Sequence, residues 1–172
     1  LLAQPLATVL RALSATGPVI GETCAVVGQG PIGLMFTYML HRFGARQVIA
    51  VDPVPWRLEW ARRLGASEVI DARERDMVEA VRDLTGGGVD FAIELAGSTQ
   101  ALETAFDCTC RGGTTVTGGL PHPDSFPRNE LSELFSEVIL KEGTEALQYG
   151  DSDGDTDTGT ATECTWHTAD LG

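Results

Sequence analysis

Five short runs of β-branched residues alternate with helical stretches from residue 23 onward, and that alternation leaves the chain few folds to choose from. "TCAVVG" (23–28), "QVIAVD" (47–52), "SEVID" (67–71), "VDFAIEL" (89–95) and "TTVTGG" (114–119) are rich in Val, Ile and Thr and bounded by Gly or Asp, so they read as strands. Between them, 31–43, 56–66, 75–88 and 98–108 carry apolar residues at three-to-four spacing. The second places Trp56, Trp60, Leu64, Leu58 and Ala61 on one broad face with Gly65 as its stop, and the first places Leu34, Tyr38, Met35 and Met39 in register. Ser98 is the expected cap of the last. Parallel strands need crossovers of this length, and helices then cover both faces of the sheet. The expected fold is α/β, a doubly wound parallel sheet of the Rossmann type.

The first strand runs into Gly28-Gln29-Gly30-Pro31-Ile32-Gly33 and the following helix opens on Pro31. A GxGxxG sequence between strand and helix is the setting of a dinucleotide fingerprint. Gly28 permits the tight turn, Gly30 admits a pyrophosphate close to the backbone, and Gly33 lets the helix approach the sheet. The helix N-terminus offers free N–H groups and partial positive charge to the phosphates. Asp52 ends the second strand near the distance expected for the carboxylate that accepts from the adenosine ribose hydroxyls. That charge repels a 2′-phosphate and favours NAD over NADP. Arg57 works the other way if it meets a 2′-phosphate, or pairs with Glu59 or Asp52. The plainer alternative is a glycine turn with an ordinary strand-end Asp. Leu95-Ala96-Gly97 and Gly118-Gly119-Leu120 follow the fourth and fifth strands. They are either plain turns or small-residue walls for a nicotinamide and its ribose.

Composition bounds the rest. The chain has 172 residues, 42% of them hydrophobic, and no apolar run of membrane-spanning length, so it reads as one soluble domain. The opening "LLAQPLATVL" has no basic leader and looks like an interior helix, with the start as a truncation point. Net charge is −13, and residues 151–172 hold six of the 25 acids with no Lys or Arg. So acidic a surface argues against nucleic acid and membrane as partners. The stretch after Gly150 has little to bury and reads as a disordered acidic tail. Its "DSDGDTD" is a poor calcium loop, because Thr156 and Thr162 stand where an EF-hand needs Gly and Glu. A last helix at 130–142, running into a short strand at Val138–Leu140, would complete the sheet.

Cys24, Cys108, Cys110 and Cys164 show no CxxC spacing, and read as structural thiols of a reduced, cytoplasmic protein. His41, His122 and His167 are scattered over a helix end, a proline loop and the tail. No metal site and no catalytic residue is assigned.

"GETCAVVGQGPIGLMF", "ARQVIAVDPVPWRLEWARRLGASEVID", "LTGGGVDFAIELAG" and "RGGTTVTGG" together resemble the coenzyme-binding domain of the medium-chain, zinc-containing alcohol dehydrogenase superfamily, which includes sorbitol and threonine dehydrogenases. The resemblance runs from about Gln4 to about Lys141. It implies that Gly28, Gly30, Pro31, Ile32 and Gly33 form the pyrophosphate loop and that Asp52 holds the adenosine ribose. It further implies that Arg57 lines the adenosine end, and that Ala96, Gly97, Gly118 and Gly119 flank the nicotinamide. The implied reaction is hydride transfer between an alcohol and NAD at a catalytic zinc.

The family's zinc ligands belong to a separate catalytic domain, and its Cys, Gly-His-Glu and four-Cys motifs are not found in this sequence. Gln4 stands where polyol dehydrogenases usually have Glu. The expectation is therefore a fragment: a linker helix over 1–20, an NAD-binding domain over 21–142 and an irregular acidic segment over 143–172, inactive alone. Alcohol substrate would bind only with the missing domain supplied, and family dimers form through the last strands. Alternatives are a non-catalytic NAD-binding module acting with a separate chain, or a quinone-reductase-like member using NADPH.

Overall fold

A computed structural model describes residues 3–119 and the backbone of a strand at 145–148. The elements run α1 (Ala3–Ala15), β1 (Thr23–Val27), α2 (Pro31–Arg42), β2 (Gln47–Asp52), α3 (Pro55–Arg63), β3 (Glu68–Asp71), α4 (Met77–Thr85), β4 (Val89–Glu94), α5 (Thr99–Cys108), β5 (Thr109–Thr117) and β6 (Glu145–Gln148). Six strands form one sheet in the order β3-β2-β1-β4-β5-β6, and every neighbouring pair is parallel. The order reverses between β1 and β4, which makes their carboxyl ends the switch point of a doubly wound sheet.

Alternate residues of the central strands feed two cores. Ala25, Val27, Ile49, Val51 and Ala92 pack with Met77, Ala80 and Val81 of α4 and with Ala105 and Cys108 of α5. Cys24, Val26, Val48, Phe91 and Ile93 pack with Val9 and Leu13 of α1 and with Phe36 and Leu40 of α2. Burial on both faces explains why these strands read as continuous apolar runs. α1, expected as part of a linker, thus contributes two buried side chains to one core.

Two helices keep the expected period but change phase. α2 buries Gly33, Phe36, Thr37 and Leu40, whereas Tyr38 is exposed. α3 buries Leu58 and Ala61 and leaves Trp56 and Trp60 outside. There Arg57 lies 5.5 Å from the Trp56 ring centroid and Arg63 lies 5.3 Å from that of Trp60. Stacking under a guanidinium gives an exposed indole a favourable place in a helix too short to bury both faces. Caps fall where the sequence places them. The Ser98 hydroxyl accepts from the Ala101 N–H at 3.2 Å, and Gly65 follows the end of α3 with φ +109°. Asp76 accepts from the Glu79 N–H at 2.9 Å and opens α4.

β5 begins at Thr109, earlier than the expected Thr114, because the 109–113 stretch adds an irregular pairing beside Val89. β6 lies at Glu145–Gln148, inside the stretch expected to be irregular. The strand expected at Val138–Leu140, together with His122, His167, Cys164 and the acidic run from Asp151, lies outside the described residues.

Candidate functional site

Three loops meet at the carboxyl ends of β1, β4 and β5. Gly28 leaves β1 with φ +96°, a conformation that excludes most side chains, and its N–H donates to the Val51 carbonyl at 2.8 Å. A Cβ there would lie 2.9 Å from the Ala96 nitrogen, so the glycine loop rests on the loop after β4. A Cβ on Gly33 would run into the Gly28 carbonyl oxygen, so this glycine is the reason α2 can start so close to the turn. Gly30 is different, because a Cβ on it would meet nothing within 4 Å. Space is open there, and α2 starts beside it with Pro31 in the first turn, no acidic residue and no side-chain cap. The N–H groups of Ile32 and Gly33 have no carbonyl partner within the helix and stand at its positive end. An open cradle lined by glycine and unpaired N–H donors fits a pyrophosphate.

Asp52, at the end of β2, is 2% exposed. One carboxylate oxygen accepts the Gln29 N–H at 2.7 Å, and the other accepts the Val54 N–H at 2.8 Å. Arg57 approaches the first oxygen at 3.4 Å, so of the two acids weighed for it the partner is Asp52, while Glu59 pairs with Arg63 at 3.1 Å. A carboxylate has about four acceptor positions, so Asp52 keeps one for an incoming hydroxyl and gains another if the long Arg57 contact gives way. Arg57 is 37% exposed and has room to move.

Gln29 went unnoticed in the sequence, as the variable residue after the first glycine. It is fully buried; its amide donates to the Val26 carbonyl at 3.0 Å and accepts from the Thr37 hydroxyl at 2.9 Å. It pins the glycine loop to β1 and α2 from beneath.

Glu94 is the second residue the motifs did not point to, although an acid inside an otherwise apolar strand run is a signal. It ends β4 and is 1% exposed. One carboxylate oxygen accepts the Ala96 and Gly97 N–H groups, both at 2.6 Å, and the other accepts the Thr117 hydroxyl at 3.4 Å. Its main-chain carbonyl accepts the N–H groups of Gly118 at 2.9 Å and Gly119 at 3.0 Å. A Cβ on Gly119 would meet the Gly97 nitrogen and lie 2.6 Å from a Glu94 carboxylate oxygen, so the loops after β4 and β5 touch. Burial raises the Glu94 pKa above the ordinary glutamate value, against the lowering effect of its N–H and hydroxyl donors.

Ala96, Gly97, Gly118 and Gly119 therefore sit together as one small-residue ledge beside the glycine loop. His41 is remote, with its ring packed where a Gly65 Cβ would go. Cys24 and Cys108 are buried, and burial pushes both thiols up to about 12. Among the described residues no group of three or more His, Cys, Asp or Glu is placed to hold a metal. The described residues do not fit a zinc ion.

The family model described as zinc-binding dehydrogenase matches residues 31–144. Sorbitol dehydrogenase of Bacillus subtilis is 38% identical over 129 residues, 74% of this chain and 36% of that protein. An alcohol dehydrogenase of Malus domestica is 36% identical over 132 residues, 75% of this chain and 35% of its own length. The crystal structure of 2R,3R-butanediol dehydrogenase from Bacillus subtilis superimposes with a TM-score of 0.74 at 30% identity, covering 86% of this chain and 41% of that one. A zinc-binding dehydrogenase-like protein of Sinorhizobium meliloti 1021, bound to NADP, gives 0.72 at 30% identity, covering 84% and 42%. The chain thus spans about a third of the length of the curated relatives it matches. On the family match, the shared fold and the glycine loop in its place, the chain belongs to the zinc-binding dehydrogenase family and carries its nucleotide-binding domain.

Proposed function

We propose that this chain holds NAD for hydride transfer to and from an alcohol or polyol. The observation that carries this reading is Asp52 closing on the glycine loop: a nearly buried carboxylate bonded to the Gln29 N–H, beside the open space at Gly30. The pyrophosphate lies over Gly28, Gly30 and the first turn of α2, where Pro31, Ile32 and Gly33 bring the backbone close. The adenosine ribose hydroxyls donate to Asp52. The ledge of Ala96, Gly97, Gly118 and Gly119 receives the nicotinamide and its ribose and excludes water from one side of them. When bound, the nicotinamide supplies a two-electron acceptor for the carbinol hydride.

Relatives named sorbitol dehydrogenase and alcohol dehydrogenase support alcohols and polyols as the substrate class. Polarising the substrate oxygen falls to groups outside the described residues. NADP is the second reading. Arg57, 3.4 Å from Asp52, favours it by offering a cation to a 2′-phosphate, and one neighbour binds that cofactor. Against it stands the Asp52 charge, which a 2′-phosphate would have to approach.

Titration with NADH and NADPH, followed by nicotinamide fluorescence, separates the two. The expected result is saturable binding that prefers NADH by at least about tenfold and is weakened about as much by Asp52→Ala. Equal or tighter binding of NADPH would favour the second reading, and no binding of either by the folded chain would overturn both.

A further inference from the structure

Glu94 carries more than a packing role. Four backbone N–H groups and one hydroxyl converge on this single residue. Ala96 and Gly97 donate to one carboxylate oxygen, Thr117 donates to the other, and Gly118 and Gly119 donate to its carbonyl. The donors come from the two loops that form the small-residue ledge, and Glu94 is their common partner. An apolar residue would leave the Ala96 and Gly97 N–H groups and the Thr117 hydroxyl without this partner, and a neutral amide would serve most of them equally well. What a carboxylate adds is charge. The groups facing it from β5 and both loops are backbone N–H groups and the Thr117 hydroxyl, and none of the four ion pairs among the described residues includes it.

We propose that Glu94 ties the two ledge loops together and, by laying a negative charge behind them, biases the site toward the oxidised dinucleotide. The inference rests on the reading that the ledge receives the nicotinamide. The oxidised ring is a cation and the reduced ring is neutral, while the rest of the two dinucleotides is the same. A fixed carboxylate behind the ledge therefore stabilises NAD relative to NADH. Glu94 acts through the loops and through its field, as a positioning residue.

The test is the ratio of the NAD and NADH dissociation constants for the full chain, with NADH followed by fluorescence and NAD by calorimetry. Glu94→Gln keeps an acceptor for Ala96 and Gly97 and removes the charge. It is expected to weaken NAD relative to NADH by roughly three- to tenfold, the size of one partly screened charge at nicotinamide range. A second measurement needs no variant: in the wild-type chain the same ratio should move in the same direction as the pH falls from 8 to 5. Burial raises the Glu94 pKa above the ordinary glutamate value, so its charge is lost at a higher pH than that of an exposed glutamate. Asp52 acts at the adenosine end, which NAD and NADH share, so its contribution cancels in the ratio.

An unchanged ratio in both measurements, even with both affinities weakened alike, would overturn the charge role and leave the ledge reading intact. Failure of the folded wild-type chain to bind either dinucleotide would overturn the ledge reading and this inference with it.

Discussion

Gly30 and Gly33 sit three residues apart in one motif and serve opposite masters. A methyl group on Gly33 meets the Gly28 carbonyl oxygen, so Gly33→Ala must shift α2 or the turn, at a cost of about 1–3 kcal/mol. The measurement is the urea midpoint. A methyl group on Gly30 meets nothing, so Gly30→Ala should leave that midpoint unchanged while weakening dinucleotide binding about tenfold or more. Both glycines were legible in the sequence, because the GxGxxG spacing between a strand and a helix states their roles. Gln29, Thr37 and Glu94 were not, because a buried hydrogen bond depends on which side chains the fold brings together. Thr37→Val removes the hydroxyl that satisfies the Gln29 carbonyl and should cost about 1–2 kcal/mol by the same denaturant measurement. The cysteines make a third prediction. Cys24 and Cys108 are buried, with thiols pushed up to about 12, whereas Cys110 is only partly buried, so iodoacetamide should label Cys110 well before either in the folded chain. Peptide mapping by mass spectrometry checks the order of labelling.

At the scale of elements, the sequence located strands and helices well and oriented two helices imperfectly. Period alone gives a stripe but not which of two adjacent stripes faces inward. In α3 the two Trp side chains carry more apolar surface than Leu58 and Ala61, yet the smaller pair is the one buried, while Arg57 and Arg63 stack over the indoles. α2 likewise turns Phe36 and Leu40 inward and Tyr38 out, since Tyr can leave its hydroxyl in water. Capping follows local chemistry and is more legible. α4 starts on an Asp76 carboxylate that accepts from the Glu79 N–H, so Asp76→Ala should lower stability by about 1 kcal/mol, read as a fall in melting temperature. α2 has no such cap, and its first turn is the one that faces the open space at Gly30. A helix whose N-terminus is reserved for a ligand is expected to leave its donors free.

The whole molecule depends on an order of strands that no local stretch contains. β1 and β4 are neighbours though β2 and β3 lie between them in sequence, and only that arrangement brings Gly28 against Ala96 and sets Asp52 beside the loop. We infer that this switch point holds a nicotinamide dinucleotide, with phosphates at the start of α2 and the nicotinamide end on the ledge after β4 and β5. Amide chemical-shift mapping of the isotopically labelled chain during titration with NADH tests it most directly. Saturating shifts are expected at Gly30, Ile32 and Gly33, at Gln29 and Val54 around Asp52, and at Ala96, Gly97, Gly118 and Gly119, with the far ends of the strands unmoved. Saturating shifts elsewhere on the fold, or none in these loops, would contradict it.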